Sequence, residues 1–284
     1  STALVFNPLS PFTQLTTINT SITSPAADKR VDEMAFDPKD HRLLVVNDAA
    51  TPHPYINLID TTSNTVVQHT VLPTATAGIE QPFWDGATKK FYVSIPQVGG
   101  AGAGGIAVVD PLTGAVTNIF DLTAFVANCG PTGLTGAGHG QLLVACGNKG
   151  TQAILLDVSS GSAVLVKLFP QVSGSDQAWF DPASDRFFVT GANNIGGPIL
   201  GIIDGSNDTF LQALRTATGA HSVAVDPGGD LYVPVGAGSG NPFCPTTGCI
   251  AVFDVGVPEP GSLPLIVTAM AGLIGLGLRR RSHR

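Results

Sequence analysis

Charge is scarce in this chain. Only 12% of the 284 residues are Asp, Glu, Lys or Arg, and 21 acids outnumber 14 bases for a formal net charge of −7. Too little positive charge is present for the phosphate-neutralising surface that nucleic acid or an anionic membrane surface requires. Catalytic signatures are missing too: there is no Gly-x-Ser-x-Gly elbow, and His41, His53, His69, His139 and His221 are scattered without metal-ligand spacing. None of the four cysteines falls in a Cys-x-x-Cys pair, which excludes a dithiol redox centre or a cysteine zinc site. No initiating Met and no N-terminal signal peptide open the chain. An exported form is therefore expected to be either mature at Ser1 or a fragment.

Glycine and proline, in contrast, are abundant, at 34 and 21 residues. One residue in about five being a turn-former predicts many short elements and few long helices. An apolar fraction of 43% is ample for a sizeable core and excludes disorder. Cys129 and Cys146 flank a predicted hairpin centred near Gly138, while Cys244 and Cys249 close a tight Cys-Pro-Thr-Thr-Gly-Cys loop. Four cysteines allow three pairings, and these two local bridges are the favoured one. Such bridges persist in an exported protein.

A repeat of about 50 residues runs through the body. Tyr55-Ile-Asn-Leu-Ile-Asp60 recurs as Gly105-Ile-Ala-Val-Val-Asp110, Ala153-Ile-Leu-Leu-Asp157, Leu200-Gly-Ile-Ile-Asp204 and Cys249-Ile-Ala-Val-Phe-Asp254, with an opening copy Ala3-Leu-Val-Phe-Asn7. The closing acid or amide falls at 7, 60, 110, 157, 204 and 254. Each copy is an apolar strand entering a turn in which Asp or Asn bonds the backbone ahead of it. A second element keeps the same beat: Met34-Ala-Phe-Asp37, Pro82-Phe-Trp-Asp85, Ala178-Trp-Phe-Asp181 and Ser222-Val-Ala-Val-Asp226 each turn into another strand. The third unit departs from this pattern at Gly133-Leu-Thr135-Gly, where threonine replaces the aspartate.

Four antiparallel strands (A to D) in about 47 residues is the period of a β-propeller blade, so the expected class is all-β. The pattern across residues 1–256 resembles the broad YVTN, NHL and lactonase group of propellers, whose members include enzymes, binders and surface proteins. Five blades are visible, with a C and D hairpin as a partial blade at the N-terminus. The fifth unit lacks strand D. Either Phe12 to Ile18 supplies it and closes a five-bladed ring, or the ring is a truncated one of six or seven blades; the sequence leaves both open.

The chain ends differently, in residues 257–284. Val257-Pro258-Glu259-Pro260 precedes an uncharged apolar run from Leu263 to Leu278 and then Arg279-Arg280-Arg281 in a basic stop over 279–284. As a helix, 263–278 would extend roughly 24 Å, somewhat short of a hydrocarbon core of about 30 Å. Arginine side chains reaching the interface make up the difference. This ending resembles the PEP-CTERM tail, the sorting signal that exosortases of Gram-negative bacteria recognise. The resemblance implies a transmembrane helix, an inner-membrane intermediate with its basic end in the cytoplasm, and release to the cell surface or extracellular matrix. Removing the four arginines beyond Pro260 takes the formal charge from −7 to −11.

Propeller topology directs the starts of the A strands and the ends of the B strands to one mouth of the central channel. There the sequence places Asp32 and Glu33, Glu80 and Gln81, Asp176 and Gln177, and His221, with Asn47, Asp48, Asn148, Asn193 and Asn194 opposite. An oxygen-rich ring suits calcium, and Glu33, Glu80, Asn148, Asp176 and Asn193 are the candidate ligands. Resemblance to gluconolactonase propellers implies a divalent metal at such a mouth, polarising a lactone carbonyl and activating water. The plain structural reading is that channel mouths are wet and Asx side chains bond loop backbones. His221 is the candidate acid or base, and Trp84 and Trp179 are expected to pack between blades. The first functional expectation is an exported, non-catalytic surface protein that binds polysaccharide or another protein. The second is a metal-dependent lactone hydrolase.

Overall fold

The computed structural model describes residues 1–254, apart from 101, 149–150 and 239–243. The sorting motif, the apolar run and the basic stop at 257–284 lie outside the described residues. Among the described residues no helix is long and apolar enough to cross a membrane.

The regular structure of the described residues is almost entirely antiparallel β. A hairpin of β1 (Thr2–Phe6) and β2 (Gln14–Asn19) comes first, and a single helical turn (Pro25–Asp28) follows it. Sheet I then holds β3 (Met34–Asp37), β4 (Arg42–Asn47), β5 (Tyr55–Asp60) and β6 (Thr65–Val71). Sheet II holds β7 (Pro82–Asp85), β8 (Lys90–Ile95), β9 (Gly105–Val109) and β10 (Val116–Asp121). β11 (Pro131–Gly136), β12 (Gln141–Cys146), β13 (Ala153–Asp157) and β14 (Val164–Phe169) make sheet III. Sheet IV is β15 (Ala178–Asp181), β16 (Arg186–Gly191), β17 (Ile199–Asp204) and β18 (Phe210–Arg215). Sheet V has three strands: β19 (Ala224–Val225), β20 (Asp230–Val235) and β21 (Cys249–Asp254). Within every sheet the strands pair in sequence order, so each unit is a meander.

The repeated aspartates explain why the units end alike. Asp60 faces Arg42 across the β4–β5 pair and forms an ion pair with it, while its Oδ1 accepts from the Thr62 and Ser63 amides at 2.8 and 3.2 Å. Asp110 does the same with Lys90 at 2.9 Å and with the Leu112 and Thr113 amides. Hydrogen bonds from Thr62, Arg42 and the turn amides hold the Asp60 carboxyl below its ordinary range, and the Lys90 contact leads in bringing Asp110 down to about 2. Each acid thus closes one turn and tethers it to the neighbouring strand.

The core lies between sheets rather than within one layer. Leu44, Val46, Ile56 and Leu58 of sheet I interdigitate with Phe91, Val93, Ile95 and Val109 of sheet II. Equivalent clusters join II to III, III to IV and IV to V, and Ile18 of the hairpin packs on Val45 and Ile59 of sheet I. The third strands β5, β9, β13 and β17 are consequently buried on both faces, where each Leu or Ile contributes about 1.5–3 kcal/mol. Successive face-to-face stacking of four-stranded meanders is a β-propeller-like arrangement.

One of the two alternatives for sheet V is not what the fold adopts. The segment Phe12 to Ile18 does not supply a fourth strand to sheet V; β2 pairs with β1, Ala3 opposite Ile18 and Val5 opposite Thr16, in a separate two-stranded sheet. Its physical reason is the hairpin's inner face, where Ala3, Val5 and Ile18 meet the apolar surface of sheet I. The far face of sheet V leaves Ile250 and Val252 exposed, although β21 carries the same sequence pattern as the buried third strands. Both local disulfides form, Cys129–Cys146 with Cα atoms 4.6 Å apart and Cys244–Cys249 at 5.9 Å. They fit an extracellular or periplasmic setting. The first bridges the start of β11 to the end of β12, since Pro131 and Cys146 are register partners.

Candidate functional site

The inner strands β3, β7, β11 and β15 run side by side down a channel, and the residue before three of them sits in an equivalent position: Glu33, Gln81 and Gln177. These three tie the sheets together. Gln81 donates its backbone N–H to the Thr132 carbonyl at 3.1 Å, and its Oε1 accepts from the Leu134 and Ala178 amides at 2.9 and 3.1 Å. The Gln177 backbone N–H reaches the His221 carbonyl at 3.0 Å, and its side-chain amide donates to Glu33 Oε1. That last bond joins sheet IV to sheet I.

Above this layer lies a cavity of about 630 Å³. Glu80, Asn148, Asp176, Asn193 and His221 all line it, so five of the six sequence candidates meet in one place. Glu33 does not line it. Asn148 Nδ2 donates to Asn128 Oδ1 at 2.8 Å, a contact between two loop side chains. Asn193 is held from below: its backbone N–H donates to the Gly174 carbonyl at 3.0 Å, and Gly174, at φ +57°, leaves no room for a Cβ against it. His221 Nδ1 stands 3.6 Å from Asp176 Oδ2, with both side chains about half exposed.

Electrostatically the mouth is strained. Burial pushes the Glu33 carboxyl up to about 8, with Glu80, Asp32 and Asp176 adding repulsion and the Gln177 hydrogen bond opposing it. Burial likewise raises Glu80 to about 7, with Asp176 the leading charge acting on it. Asp176 is raised by burial too, partly offset by His221. Arg30 answers this crowd of acids, pairing with Asp32 at 2.6 Å and with the buried Asp48 at 3.0 Å. Glu33 Oε2 is buried and has no hydrogen-bond partner.

Among the described residues no group of three or more His, Cys, Asp or Glu side chains is placed to hold a metal ion. Asn and Gln oxygens would have to complete any calcium shell, and Gln177 already occupies Glu33 Oε1.

Below the layer the channel changes character. A second cavity of about 300 Å³ is lined by Met34, Phe36, Phe83, Trp84, Leu134 and Trp179, among others. Trp84 packs on Phe91 of its own sheet, ring centroids 4.8 Å apart, and meets expectation by lying against the apolar cluster that sheets I and II share. Trp179 does not: it is 44% exposed on the channel side, because alternation turns Phe180, not Trp179, onto Phe187. Arg30 and the bridging roles of Gln81 and Gln177 are not evident from residue type, although the shared position of Glu33, Gln81 and Gln177 one residue before an inner strand was a usable signal.

No family model and no curated protein matches this chain. Solved structures do resemble it in fold. Hydrazine synthase of Kuenenia stuttgartiensis is 12% identical with a TM-score of 0.61 over 78% of this chain, which spans 62% of that one, less than two thirds. A functionally unknown protein from Desulfotomaculum acetoxidans gives 0.60 at 12% identity, over 88% of this chain and 82% of that one. A Bacteroides uniformis protein provisionally assigned as a 6-phosphogluconolactonase gives 0.60 at 12% identity, over 89% and 80%. At such identity the likeness is one of fold, and the chain shares with these proteins a β-propeller-like architecture.

Proposed function

We propose that this protein is an exported β-propeller of the cell surface or extracellular matrix that binds a polar ligand, polysaccharide or protein, at its channel mouth without transforming it. The observation that carries this reading is the 630 Å³ cavity lined by amides, carboxylates and backbone around Glu80, Asn148, Asp176 and Asn193. Cavities of that size holding several convergent polar groups are the usual ligand sites of folded proteins. Two disulfides and an acidic body fit export. In this reading Val257-Pro258-Glu259-Pro260, the apolar run and Arg279 to Arg281 form a PEP-CTERM tail that an exosortase processes. Coexpression with an exosortase should remove a mass corresponding to the tail; recovery of a product that still ends in the arginine cluster would sink the sorting part.

The second reading, a calcium-dependent lactonase, is favoured by the resemblance in fold to the Bacteroides protein. Charge argues against a phosphorylated substrate, which would enter beside Asp32, Asp48 and Asp176 with Arg30 as the neighbouring guanidinium. A ligand that binds only the folded state at a hundred times its Kd stabilises it by about 2.7 kcal/mol. Under the binding reading, millimolar calcium leaves the melting temperature unchanged and neutral oligosaccharides raise it. A calcium-dependent rise with lactone turnover would reverse the order of the two readings.

A further inference from the structure

The repeat packs by a rule of position. In sheet I, Leu58 and Ile56 stand two and four places before Asp60 and pack on sheet II. Val108 and Ile106 stand alike before Asp110 and pack on sheet III, while Val109, one place before that aspartate, faces back to sheet I. Sheets III and IV follow, with Leu155 and Ile202 two places before Asp157 and Asp204 in the clusters that lead onward. Every interface therefore joins unlike faces, the onward face of one unit and the backward face of the next.

Applied to the two ends, the rule leaves one face of each kind open. In β21, Phe253 and Ala251 stand on the backward face, against sheet IV, and alternation puts Val252 and Ile250 on the onward face, 54% and 61% exposed. In β1, Val5 and Ala3 occupy the onward face, against sheet I, and Phe6 and Leu4 on the backward face are 49% and 51% exposed. The ends thus do not bury one another within a single chain. Val252 and Ile250 lie opposite Tyr232 and Pro234 in register, so the open surface continues across sheet V. Stacked repeats that stay soluble as single copies carry polar outer faces at their ends, and neither end here does.

We propose that copies of this chain associate head to tail, the Ile250 and Val252 face of sheet V in one copy packing on the Leu4 and Phe6 face of the hairpin in another. A second copy is the occupant because it carries the complementary face: the contact repeats, in kind, the onward-to-backward packing of every interior interface. Such a heterologous contact leaves one end of each copy unused, so the assembly either closes into a ring or extends. The inference does not depend on what the channel binds.

Sedimentation equilibrium of the full chain in a density-matched nonionic detergent tests it. The average mass should rise with protein concentration beyond that of one chain. Val252→Asp and Leu4→Asp, both at half-exposed positions, should each weaken association by at least about tenfold. Mixed in equal amounts, the two variants should form a dimer and nothing larger, because one brings an intact hairpin and the other an intact sheet V; that recovery also shows that both variants fold. A mass fixed at one chain throughout overturns the proposal, whatever then covers Ile250 and Val252. So does association that either variant retains alone, which would place the contact on another surface such as the apolar run 263–278, and so does a mixture that stays monomeric.

Discussion

Raising the pH from about 5 to about 9 should lower the melting temperature by roughly 6–12 °C, and Glu33→Gln should remove more than half of that fall. Glu33 keeps its proton in the folded state up to about 8, and Glu80 up to about 7, whereas both lose it near 4.5 when unfolded. Between those values the native state holds more protons than the unfolded one, so the stability that these two groups contribute is full below 4.5 and is lost as pH rises through the folded values. Converted in full, the two shifts would amount to several kcal/mol. Contact with solvent at the mouth, and the repulsion the acids share, reduce this to about 3 kcal/mol. Asp60 and Asp110 carry the opposite sign but act in a lower window: their lowered folded values contribute stability above 3.8 that disappears only as pH falls through them. His69, lowered by burial, works against the main trend near 6.5, because its stability returns as pH rises. Thermal melts across the range measure the sum, and a flat profile between 5 and 8 would show that Glu33 and Glu80 are not held protonated by burial.

Gly133→Val should cost about 3 kcal/mol and disturb the channel mouth at the same time. A Cβ at Gly133 would lie 2.5 Å from the Asp176 carbonyl oxygen and 2.9 Å from both the Ala178 amide nitrogen and the Ala145 Cβ. Two of those atoms are backbone of the neighbouring sheet, so no rotamer change relieves the contact. Thr132, next in chain, bonds the Ser175 carbonyl at 3.0 Å, which fixes how closely sheets III and IV approach. Forcing them apart moves Asp176 and with it the Gln177 bridge to Glu33. Chemical denaturation gives the stability loss, and the pH profile of the variant gives the second effect: its slope between 5 and 8 should shrink as Glu33 gains water. A variant as stable as the parent would mean that the two sheets can separate freely here.

The departure of the third unit from the repeat becomes intelligible in this light. Gly133-Leu-Thr135-Gly looks in sequence like a degraded copy of the aspartate turn. In the fold, Gly133 and Gly136 are the places where a neighbour comes closest, the Asp176 carbonyl in one case and the Phe83 ring in the other. Small residues were required by the adjoining sheets, and nothing local to the unit records that requirement.

Much of the architecture was legible from the chain alone, because its causes are local. Alternating apolar residues bounded by Asp and Gly turns specify each strand, and the 47- to 50-residue spacing of the aspartates specifies the meander. The hairpin between Cys129 and Cys146 places its own disulfide. That Glu80, Asn148, Asp176, Asn193 and His221 share a cavity also followed from periodicity, since equivalent positions of stacked units converge at one end.

Only the tertiary structure decided what depends on neighbours distant in sequence. The strand sequence Cys-Ile-Ala-Val-Phe-Asp reads like its four relatives, yet Ile250 and Val252 are exposed because no described sheet covers that face. Phe12 to Ile18 could have paired with sheet V or with β1, and burial of Ile18 against Val45 and Ile59 settled the choice. Trp84 and Trp179 stand one step apart in their units, and a shift of one residue along a strand sends a side chain to the opposite face. Trp84 therefore packs on Phe91 while Trp179 is left 44% exposed, although both border the lower cavity. The protonation of Glu33 is the clearest case: its value follows from burial, from Gln177 of another sheet and from three further acids, none of them its sequence neighbours except Asp32.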